Sequence, residues 1–146
     1  MKLNSEDTTI LDRLAGEEAE LVGRAIDWCA IPSGSRNLAG LEAQRAVLED
    51  VLRELPGQVD SIPLTDSHEV AADGELKAQH HTPALRLAVR PEAPVQVILT
   101  GHYDTVYPAE SSFTRVVSRA DGALNGPGIA DMKGGISVML AALPST

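Results

Sequence analysis

Residues 95–108, which read VQVILTGHYDTVYP, decide the fold of this 146-residue chain. Val95 to Thr100 form an almost continuous apolar and β-branched run, which is typical of a strand covered on both faces in an α/β sheet. Polar residues follow directly after this run, with His102 and Asp104 two positions apart. In open α/β sheets the ligand crevice lies beyond the carboxyl ends of the strands. The stretch therefore predicts a site at the end of a buried strand.

His102 and Asp104 are residue types that build metal sites. In an extended chain, side chains two residues apart project to the same side. A neutral imidazole is a good ligand for zinc and similar metals. A neighbouring carboxylate can bind the same ion, or it can accept a hydrogen bond from the imidazole and fix its tautomer. The residues themselves leave both roles open for Asp104.

A second informative stretch runs from Asn125 to Gly135 and reads NGPGIADMKGG. Asp131 stands there between a glycine-containing loop and a predicted helix. The glycines allow close approach of the backbone to another backbone or to a ligand. A carboxylate in that position can bind a cation, although a lone Asp before a helix is more often an N-cap. The stretch lacks the GxxxxGK[ST] spacing of a phosphate-binding loop.

Apolar periodicity and turn residues predict the remaining elements. Three-and-four spacing predicts two long helices near the amino terminus, and alternation predicts short strands after them. The predicted helices are Ile10–Cys29, Leu38–Leu55 and Met132–Leu143; the predicted strands are Val59–Leu64, Leu76–His80, Leu85–Val89 and Val95–Thr100. Asp121-Gly122 predicts a hairpin turn within residues 116–124. This order of elements favours an α/β or α+β class.

Composition excludes several kinds of partner. The chain carries 12 basic and 21 acidic residues, a net charge of −9, which argues against a nucleic-acid surface and against adhesion to anionic membranes. One cysteine, Cys29, excludes an internal disulfide and favours a cytoplasmic location. We expect Cys29 to be a buried structural thiol, and the three remaining histidines to be surface residues: His68, His80 and His81.

HYDTV after an apolar strand, followed by GPGIADMKGG, resembles the M20 family of metallopeptidases. Asp131 lies 27 residues past Asp104 (131 − 104), and residues 31–35, IPSGS, are similar to the first loop of that family. The family includes glutamate carboxypeptidase, acetylornithine deacetylase, succinyl-diaminopimelate desuccinylase and aminoacylase-1. The resemblance covers the chain from about residue 10 onward.

The resemblance implies a role for three residues. His102 would bind one metal ion and Asp131 would bridge two, usually zinc, with cobalt or manganese as alternatives. Asp104 would be the catalytic residue that orients His102. The family often has a cis peptide after the bridging Asp, which here is the Asp131–Met132 bond.

The resemblance also implies residues that this sequence lacks. The general-base glutamate and the remaining metal ligands lie downstream of the Asp131 position, whereas the residues here, MKGGISVMLAALPST, contain no Asp, Glu or His. We therefore expect residues 1–146 to be an incomplete N-terminal segment of a zinc-peptidase-like catalytic domain, α/β in class, with a mixed sheet flanked by helices. No lid or dimerisation domain is present, so we expect no family-type homodimer.

Two functions remain at this stage. By resemblance the chain is part of a metal-dependent hydrolase of amide or peptide bonds, an exopeptidase or a deacylase of N-acyl amino acids. Its substrate would be a small molecule or peptide with a free carboxylate, and this segment would be inactive by itself. The alternative is a non-catalytic remnant, or a half that assembles with a separately encoded C-terminal part.

Overall fold

The computed structural model describes residues 3–143, and its first 30 residues form two helices where the sequence predicts one. Helix α1 spans Ser5–Gly16 and α2 spans Glu18–Cys29. The predicted single helix over 10–29 was wrong at Glu17, whose φ of −94° and ψ of 0° interrupt it. Gly16 adds no side chain and is a weak helix former, which explains the break at that point.

The other two helices are close to their predicted positions. Helix α3 spans Leu38–Arg53 and α4 spans Gly134–Ala142. The Asn37 side chain caps α3 by accepting a hydrogen bond from the backbone N–H of Gly40 at 3.2 Å. Helix α4 begins two residues later than predicted, because Asp131 and Met132 have non-helical backbone angles.

Within residues 3–143, six short strands form three separate antiparallel pairs. In chain order they are β1 Gln58–Ile62, β2 Ser67–Val70, β3 Leu76–Gln79, β4 Ala84–Ala88, β5 Val117–Ser118 and β6 Leu124–Asn125. Strand β1 pairs with β4, β2 with β3, and β5 with β6. The predicted hairpin turn at Asp121-Gly122 connects the last pair, with Gly122 at a φ of +81°. Strand β2 was missed, because SHEV lacks an apolar alternation.

The α/β class is confirmed, and its sheet component takes a specific form. Helices combine with the three small antiparallel pairs, and a single parallel bridge between Gly34 and Thr105 joins two distant loops. That bridge is the pairing that matters for the site, because Thr105 follows directly on the HYD stretch.

The prediction of a buried strand at Val95–Thr100 was wrong. Within the described part of the chain these residues belong to no strand, and Val95, Val97 and Ile98 expose 77 %, 79 % and 84 % of their surface. A strand requires a neighbour for its backbone hydrogen bonds and a layer over its apolar face. Residues 3–143 provide neither next to this run. Its apolar side chains therefore remain exposed.

The core lies between α2, α3 and α4. Its buried side chains are Trp28, Leu48, Ile136 and Leu140, with further apolar residues packed around them. Tyr103 and Met132, which adjoin the two candidate ligand stretches, are part of that surrounding layer. The core therefore holds the backbone on which the site is built.

The cysteine and the histidines outside the candidate site differ in their surroundings. Cys29 is buried, with 1 % of its surface exposed, as predicted. His80 lies at the surface beside Asp66, 2.8 Å away, and His81 forms a hydrogen bond with Ser67 at 2.9 Å. Over residues 3–143, no helix has both the length and the apolar character needed to cross a bilayer.

Candidate metal centre

The loop at residues 31–35 and the HYDT stretch are joined by backbone hydrogen bonds. The N–H of Thr105 donates to the carbonyl of Ser33 at 2.8 Å, and the N–H of Ser35 donates to the carbonyl of Thr105 at 3.0 Å. Gly34 lies between them, so close to the backbone of Tyr107 that a Cβ at position 34 would be 2.1 Å from its carbonyl oxygen. Glycine is therefore required for this approach.

Tyr103 anchors the same stretch from the other side. Its carbonyl accepts a hydrogen bond from the Ser33 hydroxyl at 2.7 Å. Its own hydroxyl donates to the carbonyl of Pro83 at 2.8 Å and contacts the hydroxyl of Thr82 at 2.7 Å. Neighbouring side chains of an extended chain point in opposite directions. The side chains of His102 and Asp104 therefore lie on the side of the stretch opposite to the anchored Tyr103.

Asp131 lies in a wide turn, Ile129–Lys133, which we call the Asp131 turn. Gly128 precedes it with a φ of +77°, a left-handed conformation that glycine adopts without steric penalty. The N–H of Lys133 donates back to the carbonyl of Gly128 at 2.9 Å and closes the turn. The Asp131–Met132 peptide is cis, as the resemblance implies.

The three candidate site residues meet in one hydrogen-bonded chain. The Nε2 atom of His102 lies 2.9 Å from Oδ1 of Asp131, and its Nδ1 atom lies 3.0 Å from Oδ1 of Asp104. The other oxygen of Asp104 accepts a hydrogen bond from the hydroxyl of Ser35 at 2.7 Å. The arrangement places Asp104 behind the imidazole and Asp131 in front of it.

The two carboxylates change the proton affinity of the imidazole. Partial burial lowers the pKa of His102, but the hydrogen bonds that the ring donates to Asp131 and Asp104 outweigh it and raise the net pKa above the ordinary value. Both carboxylates therefore stabilise positive charge at this position. A bound cation would meet the same environment.

Lys133, the last residue of the Asp131 turn, also has a changed proton affinity. It is 1 % exposed, and burial lowers the pKa of its ammonium to about 8, although the neighbouring Cys29 acts in the opposite direction. Burial also raises the pKa of the Cys29 thiol, although the charge of Lys133 lowers it. Burial thus disfavours the reactive thiolate.

A cavity of about 310 Å³ opens in front of this chain of side chains. His102, Asp104 and Asp131 line one part of it, and residues of the 105–107 and 124–130 stretches line the rest. The cavity is large enough for a small ligand beside the imidazole.

His102 and Asp131 are residue types that bind zinc, but two ligands are fewer than a catalytic zinc site needs. Imidazole nitrogen and carboxylate oxygen both bind zinc at about 2.0–2.2 Å, and the 2.9 Å separation of Nε2 and Oδ1 lets them converge on one ion. A catalytic zinc takes about three protein ligands and one open position. Among the described residues, no group of three or more His, Cys, Asp and Glu side chains is arranged to hold a metal.

Two residues of the site were not found from the sequence. Ser35 belongs to the IPSGS loop, but its hydrogen bond to Asp104 joins residues 69 positions apart. Lys133 lies one residue after the start of the predicted helix Met132–Leu143, where a charged residue is ordinarily exposed. The sequence signal for Lys133 is its place directly after Asp-Met and before two glycines.

Residues 98–146 match the profile of Peptidase family M20/M25/M40. The resemblance to the M20 metallopeptidases is confirmed. The matched residues include His102, Asp104 and Asp131, so the candidate centre lies entirely within the M20 segment. No curated protein matches the chain at a significant level.

A solved M20 structure shows the same fold. The chain superimposes on human carnosine dipeptidase 1 with a TM-score of 0.65 at 20 % sequence identity, over 92 % of this chain and 30 % of the other. This likeness supports the fold and extends over the helices that precede the M20 segment. The chain spans less than a third of the length of that dipeptidase.

Proposed function

We propose that this chain is the N-terminal segment of an M20-type catalytic domain and supplies part of the metal site of a hydrolase of amide or peptide bonds. The observation that carries the proposal is the 2.9 Å contact between Nε2 of His102 and Oδ1 of Asp131 at the wall of a cavity. The M20 match over the same residues supports it.

Each side chain has one task in this proposal. His102 and Asp131 hold a divalent ion, zinc first and cobalt or manganese as alternatives. Asp104 fixes the imidazole through Nδ1, so that Nε2 carries the free lone pair for the ion. A divalent ion held there supplies Lewis acidity, which polarises the carbonyl of a bound amide. The base that activates water is not provided by the described residues near the cavity.

The proposed substrate is an N-acyl amino acid or a small peptide with a free carboxylate, cleaved by an exopeptidase or deacylase activity. The acidic composition argues against a nucleic-acid role, and we propose a cytoplasmic location from the single cysteine. We propose neither a membrane partner nor a family-type homodimer.

Metal titration of the full chain tests the proposal. We expect the wild type to bind Co²⁺ or Zn²⁺, and His102→Ala and Asp131→Asn to weaken binding about tenfold or more. His81→Ala is the matched control, because His81 lies outside the cavity beside Ser67. Equal affinity in the wild type, His102→Ala and Asp131→Asn would refute the metal site. We expect no amide hydrolysis by this chain alone, since two protein ligands do not complete a catalytic zinc.

A second candidate function is favoured by the exposed run at residues 95–100. Val97 and Ile98 are about four-fifths exposed, and the run is uncharged between Pro94 and Gly101. An exposed apolar run of this kind is a template for pairing with another chain. The proposed occupant is the downstream part of an M20 catalytic domain, made as a separate polypeptide.

The mass of the native product distinguishes the two arrangements. If the separate-polypeptide proposal holds, the denatured product has a mass near 15.4 kDa, and the native product elutes as a larger complex that contains a second polypeptide. A much larger denatured species that carries this sequence would contradict that proposal. It would instead place the candidate centre in one continuous hydrolase.

A further inference from the structure

The side chain of Lys133 makes contacts that the proposed metal chemistry does not account for. Its ammonium donates hydrogen bonds to the carbonyls of Trp28 and Ile31, each at 2.8 Å. The Trp28 carbonyl lies in the last turn of α2, where the helix dipole favours a cation, and the Ile31 carbonyl lies two residues past the end of that helix. Lys133 is 1 % exposed and its ammonium needs such partners, because burying an unpaired charge is strongly unfavourable.

The stem of Lys133 lies against the backbone that carries the candidate ligands. A Cβ at Gly128 would be 3.3 Å from Cδ of Lys133 and 2.8 Å from Cγ2 of Thr105. Gly128 is thus enclosed between Lys133 and Thr105. Thr105 is the residue that pairs with the 31–35 loop, and it follows Asp104 directly. The Lys133 side chain is therefore hydrogen-bonded at the end of α2 and lies beside Gly128, next to which the Thr105 methyl also lies.

The backbone of Lys133 completes this connection. Its N–H closes the Asp131 turn onto Gly128 at 2.9 Å, while its side chain is held at α2. Asp131 itself is 83 % exposed at the side chain, and among residues 3–143 its carboxylate forms a hydrogen bond with His102 alone. The position of its carboxylate is therefore set by the turn, and the turn is held by Lys133.

We propose that Lys133 is a positioning residue, which holds the Asp131 turn against the end of α2 and thereby keeps the Asp131 carboxylate opposite His102. The proposal rests on the proposed function for the identity of the ion, but the positioning itself is a property of the metal-free chain. Lys133 touches neither substrate nor metal in this role. Its effect passes through Asp131.

The test compares Lys133→Met with Lys133→Arg in the full chain. Methionine keeps most of the stem and removes the donors, whereas arginine keeps the charge and the donors. Lys77→Met is the matched control, because Lys77 is 61 % exposed at the side chain, belongs to β3 and does not line the cavity. Two quantities are measured: the Co²⁺ affinity, followed by the visible absorption of the ion, and amide hydrogen exchange of the metal-free protein by segment.

We expect Lys133→Met to bind Co²⁺ about tenfold more weakly than the wild type, with faster exchange confined to residues 128–134. The amides of α3 should keep wild-type exchange rates. Lys133→Arg should recover most of the affinity, and Lys77→Met should match the wild type in both measurements. A purely structural lysine would instead speed exchange throughout the core and leave the Co²⁺ affinity of the folded protein unchanged.

Wild-type affinity and wild-type exchange in a folded Lys133→Met protein would overturn the proposal, and so would faster exchange throughout the core. Should the methionine variant fail to fold, Lys133→Gln, whose amide can donate to one carbonyl, takes its place with the same two outcomes. If the wild type itself binds no Co²⁺, the proposed function fails. Amide hydrogen exchange of the metal-free Lys133→Met protein then tests the positioning role. Faster exchange confined to residues 128–134 supports the role, and wild-type exchange overturns it.

Discussion

Trp28→Ala is expected to lower the free energy of unfolding by about 3–5 kcal/mol, the range observed when a large aromatic side chain is removed from a packed core. Trp28 is 3 % exposed and packs in the cluster with Leu48, Ile136 and Leu140. It is the only tryptophan of a chain with 3 % aromatic residues. The surrounding side chains are mostly aliphatic, so little aromatic surface remains to fill the cavity.

The measurement is urea unfolding followed by far-UV circular dichroism, because the mutation removes the fluorescent reporter. Small domains are stable by only about 5–15 kcal/mol in total, so we expect the mutant to be partly unfolded at 25 °C. Val138→Ala is the control: it truncates a residue of α4 that is 60 % exposed and should change stability by less than about 0.5 kcal/mol. A loss below about 1 kcal/mol for Trp28→Ala would contradict the core described above.

Gly34→Ala is the second substitution with a large expected effect. The added Cβ would be 2.1 Å from the carbonyl oxygen of Tyr107 and 3.1 Å from its carbonyl carbon. Both are backbone atoms, so neither can rotate away. The loop and the HYDT stretch would have to separate, which breaks the hydrogen bonds of Thr105 to Ser33 and to Ser35. We expect a loss of about 3 kcal/mol, the upper end of the range for overpacking.

The same substitution should also weaken the candidate metal centre, since Ser35 holds the carboxylate of Asp104 at 2.7 Å. Thermal and urea unfolding measure the first effect, and Co²⁺ titration of the folded fraction measures the second. Gly23→Ala is the control, and it should change the free energy of unfolding in the opposite direction. A Cβ at Gly23 in α2 meets no atom within 4 Å, so that variant should gain about 1 kcal/mol from helix propensity. Wild-type stability and affinity in Gly34→Ala would refute the close approach of the two loops.

Local patterns predicted the elements whose stability is local. The apolar spacing of α3 placed its first residue at Leu38, and Asp121-Gly122 placed a turn, because helices and tight turns are specified by neighbours in the sequence. Residues 95–100 show the limit of such patterns. Their composition is that of a buried strand, but a strand is stabilised by residues far away in the chain. The pattern alone does not say whether those residues are present.

The candidate site divides in the same way. His102, Asp104 and Asp131 were found from motifs, and the structure brings all three together within hydrogen-bond distance. The contacts of Ser35 and Lys133 span 69 and about 100 residues. No periodicity carries information over such separations. Residue type also misleads here, because lysine is almost never fully buried unless paired.

The bridge between Gly34 and Thr105 has a consequence for the order in which the molecule assembles. It joins parts of the chain that are far apart in sequence, so it forms only after a long loop has closed, and such contacts are slow to form. The backbone hydrogen bonds of helices α2 and α3 are local and can form earlier, although the core that packs them also needs α4. During synthesis on the ribosome, the cavity therefore takes shape only after residues 102–131, which line it, have been added to the chain. A chain that ended before Thr105 would lack the bridge, the cavity and the α4 side of the core.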